Sequence, residues 1–125
     1  GGGGGEGALG EYLEFISLLG QMHELAREIE RDSREISCHK FVPHQLARLY
    51  KYCNRIHGDV RPFRRRIEEK FDEVQTQVDS GKCLSEGQVA WLRHLSAEIQ
   101  STLVAVPSSV REKVTPLVSG LIDAR

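Results

Sequence analysis

The stretch LARLYKYCNRIHGDVRPFRRRIEEKFDEVQTQV, residues 46–78, decides how the chain is read. An apolar residue recurs in it every three or four positions: Leu46, Leu49, Cys53, Ile56, Val60, Phe63, Ile67, Phe71, Val74 and Val78. That recurrence is the seam of an amphipathic helix. The seam keeps its phase across Gly58 and Pro62, which predicts one long helix from Pro43 to about Asp79. Pro62 should kink it, because the ring removes one backbone hydrogen bond and crowds the carbonyl of Gly58.

Working outward, Leu9, Leu13, Ile16, Leu19, Met22, Leu25, Ile29 and Ile36 form a second stripe and predict a helix over 9–36. Residues 37–42 connect it to Pro43, a residue suited to a helical first turn. Downstream, Ser80, Gly81 and Lys82 read as a turn. Ser85 and Gln88 then make a capping box, with Leu84 and Val89 placed as its hydrophobic staple, so a third helix should start near Glu86 and run to about Ala105. Its stripe is Val89, Leu92, Leu95, Ile99 and Leu103. Beyond Pro107 a second capping box, Ser109 with Glu112, restarts the pattern through Val110, Val114, Leu117 and Leu121.

Long rods on short connectors must lie antiparallel to their neighbours. The expected fold is therefore an all-α, up-down-up bundle of three long helices, the third broken near Pro107, or a four-helix bundle if the breaks are true turns. The architecture is similar to three-helix interaction modules such as spectrin-type repeats and the bundle domains of cochaperones, with no residue motif that carries functional positions across. Residues 1–8 read as a glycine-rich lead-in or tag, and 9–125 as a single domain. A chain of 125 residues, 39% hydrophobic, can bury one core without metals or disulfides.

Folding the rods about their connectors pairs residues of the first two helices whose numbers sum to about 79, and of the next two to about 164. Gly20, Gly58, Pro62 and the break at Pro107 then fall in one layer, which predicts a shared waist or groove. The same register sets Glu28 opposite Lys51, Glu24 opposite Arg55 and Glu14 opposite Arg65.

Charge is balanced globally, at −1, and uneven locally. Lys40–Arg66 holds eight lysines or arginines against one acid, whereas Gly1–His39 holds three bases and eight acids. Arg61, Arg64, Arg65 and Arg66 are the candidate partner-binding residues, because guanidinium forks bind oxyanions well. Read structurally, the same arginines serve as interhelix ion pairs. Trp91 and Tyr52, on or off the flank of their stripes, are the candidate aromatic anchors.

No catalytic constellation is visible. The serines best placed by pattern, Ser85 and Ser109, read as caps, and no phosphate loop follows a strand, so the chain is expected not to be an enzyme. Cys53 and His57, with Cys38, His39 and His44 upstream, match no zinc spacing, and neither a metal nor another cofactor is expected. Three cysteines without a CxxC pair point to a reducing setting, cytoplasmic or nuclear. The function expected is a protein–protein interaction, scaffold or adaptor module of a larger protein or complex, presenting a helix face to an acidic or amphipathic helical segment. The alternatives are membrane-surface binding by amphipathic helices and nucleic-acid association through Arg61–Arg66.

Overall fold

The computed structural model describes residues 3–56 and 60–104, with side chains from 10 to 103 in those ranges. Among the described residues it is an all-α bundle of four α-helices. Helix α1 spans Gly3–Ser33, α2 Val42–Arg55, α3 Arg61–Asp79 and α4 Glu86–Val104, with a 3-10 helix, Ile36–Phe41, between α1 and α2. The expected second rod is thus two helices. The seam read as continuous is interrupted at Ile56, whose φ of −102° and ψ of 116° are those of a strand rather than a helix. Pro62 lies in the first turn of α3, where its missing amide hydrogen costs nothing. Ile56 and Val60 kept the pattern in phase because both are buried, at 1% and 2% exposure, in the corner between the helices.

Pairs of side chains set the directions. Asp32 meets Gln45, Gln21 meets Tyr52 and Glu14 meets Arg55, so α1 and α2 are antiparallel. Tyr50 meets Glu68, which folds α3 back along α2. Glu73 meets Gln88 and Arg66 meets Glu98, which folds α4 back along α3 at the expected register. Packing runs α4, α1, α2, α3, with α1 set most extensively against α4 and α3 touching α4 lightly.

The core is drawn from every helix: Met22, Leu25 and Ile29 from α1, Leu46 and Leu49 from α2, Ile67 and Val74 from α3, and Leu92, Leu95 and Ile99 from α4, all essentially sealed from solvent. In α1 the buried stripe begins at Leu18; Leu13, Ile16 and Ile36, expected on it, are exposed. The expected waist is absent at the positions described. Helix α1 passes unbroken through Gly20, and a Cβ there would meet nothing within 4 Å, so no neighbour crowds it. Pro62 stands at a corner instead of a kink, while Gly58 and Pro107 lie outside the described residues.

The helix ends follow from local chemistry. Helix α1 stops at Ser33 instead of Ile36, because the carbonyl of Ser33 is held by the His39 ring at 2.9 Å. The backbone N–H of Leu84 donates to Nδ1 of the same ring at 3.0 Å, so Nε2 carries the hydrogen and donates to Ser33. His39, buried at 5% exposure, thereby ties the end of α1 to the start of α4. At the end of α3, the N–H of Lys82 reaches the Gln77 carbonyl and that of Gly81 the Val78 carbonyl, a Schellman closure with Gly81 at φ 72°. The capping box opens α4 as read: the Ser85 N–H donates to the Gln88 side chain and the Gln88 N–H to the Ser85 hydroxyl.

Replacing His39 with Ala should strand the buried Leu84 N–H and cost about 1–3 kcal/mol of unfolding free energy. Gly81→Ala should cost about 1 kcal/mol, because a side chain is strained at that φ. Urea titration monitored by circular dichroism measures both.

Candidate functional site

The α2–α3 hairpin leaves a trough on its outer side. Two i, i+3, i+4 rows build its walls: Ala47, Tyr50, Lys51 and Asn54 from α2, and Arg61, Arg64, Arg65, Glu68 and Asp72 from α3. One half is an apolar depression of about 430 Å³, floored by Ile67 with Tyr50 and Phe71 beside it. The other half, about 630 Å³, is lined among the described residues by Arg61, Pro62, Arg64, Arg65 and Glu68, all on α3, and the two halves meet at Glu68.

A small polar network fixes that junction. The Tyr50 hydroxyl donates to Glu68 Oε1 at 2.6 Å and accepts from Arg64 Nε at 3.3 Å. The Arg64 guanidinium lies 5.5 Å from the Tyr50 ring centre. Its pKa is raised above the ordinary arginine value by Tyr50 first and Glu68 after it. Among the described residues, Arg61 and Arg65 have no acidic partner within salt-bridge distance. Helix α3 has no acid in its first turn, and Arg61 stands at the positive end of the helix dipole. That placement works against folding and leaves cationic groups facing solvent.

The structure divides the residues singled out by sequence. Arg61, Arg64 and Arg65 come together in the trough. Arg66 turns away to Glu98 on α4 and lies over the Phe63 ring, so it straps the bundle. Its hydrogen bond, with His94 nearby, holds the Glu98 carboxyl below its usual range. Tyr52 donates to Gln21 on the α1 side, and half-buried Trp91 packs between α3 and α4 near Lys70 and Glu73. Neither joins the arginines. None of the three expected interhelix ion pairs forms: Arg55 takes Glu14 rather than Glu24, Arg65 is left without Glu14, and Glu28 and Lys51 do not meet. Sequence reasoning did not single out Ala47, Glu68 or Asp72. Their signal was present as i, i+3 and i+4 rows, but it becomes a shared wall only once the chain reverses at Ile56.

Metal-ligating and nucleophilic groups do not gather: among the described residues no three His, Cys, Asp or Glu side chains are grouped for a metal. His39 is a structural bridge, and His57 lies outside the described residues. All three cysteines are free; Cys83 is exposed, Cys38 is half-buried beside the Glu35 carboxylate, and Cys53 is buried. Burial raises the Cys53 thiol from 9.0 to about 12, against a smaller opposing pull from Arg64. Comparisons with protein-family models, curated proteins and solved structures find no match to this chain.

Two outcomes follow. Folding holds the Cys53 proton while the unfolded chain releases it, so this contribution is intact below pH 9 and is lost as pH rises toward 12. Unfolding free energy should fall across that window by up to about 1.4 kcal/mol per pH unit more than in Cys53→Val, as read from denaturant titrations. Arg61→Glu should raise stability by about 0.3–1 kcal/mol by relieving the dipole, visible as a higher melting temperature.

Proposed function

We propose that the domain is a non-enzymatic protein-interaction module, a scaffold or adaptor element of a larger protein or complex, whose α2–α3 face receives an acidic or amphipathic segment of another protein. The observation that carries this reading is the apolar trough running directly into Arg61 and Arg65, which have no acidic partner among the described residues. Apolar area supplies affinity, and the arginines supply orientation and selectivity. Three free thiols support an intracellular setting, cytoplasmic or nuclear.

The alternatives have less support. Among the described residues, no helix is long and apolar enough to cross a membrane. A membrane surface would call for one continuous protruding apolar face, whereas the exposed Leu13 and Ile16 lie toward one end of α1, Ile36 and Phe41 lie beyond its other end, and Ile67 lies at the bottom of the trough with 1% exposure. Single-stranded nucleic acid would call for stacking platforms among the arginines, where the aromatic groups at hand are Phe63, buried under Arg66, and Tyr50, held by Glu68.

The test is quantitative affinity capture from cell extract with the wild-type domain and with Arg64→Glu/Arg65→Glu, alongside flotation with anionic vesicles. At least one protein should be retained by the wild type and reduced about tenfold by the double variant, with no flotation. An identical captured set, or vesicle binding alone, would overturn the reading.

A further inference from the structure

We infer that the occupant of the α2–α3 trough is an amphipathic α-helix of about three turns whose carboxylates are gathered at one end, over Arg61 and Arg65. This rests on the reading of that face as a protein-binding surface and specifies what fits it.

Length comes from the wall. From Arg61 to Asp72 the trough follows α3 for about 17 Å, which about 11 residues of a helix would match. Conformation comes from the backbone. Along the apolar half both walls are helices whose N–H and C=O groups are already paired along their own axes, and the described residues include no strand edge. An extended segment would lay unpaired peptide groups on a floor of Ala47, Ile67 and Phe71, at a desolvation cost for each. A helix brings its backbone already satisfied and offers an i, i+3, i+4, i+7 apolar stripe to the groove between two helices.

Polarity comes from charge. Arg61, Arg64 and Arg65 mark the corner end, Lys51 with the Tyr50- and Arg64-bound Glu68 the middle, and Asp72 the far end. The arginines attract carboxylates at one end of the guest, Lys51 and Glu68 offset one another in the middle, and Asp72 disfavours carboxylates at the far end. A uniformly acidic helix fits less well than one with its acids segregated. Arg61 adds to this preference, because a partner's carboxylate also relieves its position at the positive end of α3.

The probes are synthetic peptides of about 14 residues, long enough to cover the trough: a leucine-striped helix with glutamates in one terminal turn, the same peptide with glutamines there, one with lysines there, and the first with a central proline. Titration into the 125-residue chain is followed by fluorescence anisotropy and by NMR shifts. The acid-ended helix should bind, with shifts centred on Tyr50, Lys51 and Asp72. The glutamine and proline versions should be weaker by about tenfold each. Arg61→Glu/Arg65→Glu should exchange the preference, so that the lysine-ended helix binds better than the acid-ended one. Ala47→Arg should block the trough and abolish binding with the circular dichroism spectrum unchanged. Equal binding of the proline peptide, indifference to Ala47→Arg, or binding to none of the peptides would overturn the inference. If cellular partners still depend on Arg64 and Arg65 while no helix binds, the occupant is not a helix and the interaction reading stands. If partner retention ignores those arginines, the interaction reading itself falls.

Discussion

Proline 62 has no amide hydrogen to give, and a helix arriving from α2 would need that hydrogen for the carbonyl of Gly58. The chain meets this constraint by stopping α2 at Arg55, extending the backbone at Ile56 and restarting at Arg61 with the proline in the first turn of α3. Burial of Ile56 and Val60 anchors the reversal, since both fill the corner that the turn creates. With the corner in place α3 lies along α2, the core closes from four directions, and Tyr50 comes within hydrogen-bonding distance of Glu68. Had α2 and α3 formed a single rod, neither the trough nor its wall would exist.

The corner also sets the electrostatics of the surface. It brings Arg61 to a helix N-terminus and leaves Arg64 and Arg65 within the next turn, on the side away from α4. Arg66, one position further, points to α4 and is neutralised by Glu98. Adjacent arginines thus divide by helix geometry: Arg66 spends its charge inside the bundle, and Arg61 and Arg65 present theirs outside it. Tyr50 and Glu68 hold Arg64 between the two groups, at the junction of the arginine end with the apolar half.

Much of this was legible in the sequence, for reasons that local physics supplies. The Ser85–Gln88 box and Gly81 depend on neighbours within six residues, and both form as read. The register of the α3–α4 hairpin follows from its short turn, and Arg66 meets Glu98 accordingly. The reversal at Ile56 was not legible, because periodicity reports which residues are buried and not whether the axis is continuous. A corner plugged by two apolar residues has the same pattern as a helix seam. The α1–α2 register holds beside the connector, where Asp32 meets Gln45, and drifts with distance from it, so that Tyr52 meets Gln21 and Arg55 reaches Glu14 instead of Glu24. The arginine cluster was visible as composition, but its apolar neighbours Ala47 and Phe71 sit on different helices and join it only through the hairpin.

The trough and its charge pattern exist only if α2 and α3 form a hairpin, and the separation of Tyr50 from Glu68 tests that most directly. In the hairpin the phenol oxygen and the carboxylate are 2.6 Å apart, so nuclear Overhauser effects should connect the Tyr50 ring with Glu68 side-chain protons. In a continuous helix 18 residues of rise would hold them about 27 Å apart. Cross-peaks between those protons are the predicted result; their absence, with sequential helical connectivities running unbroken through Ile56 and Val60, would contradict it.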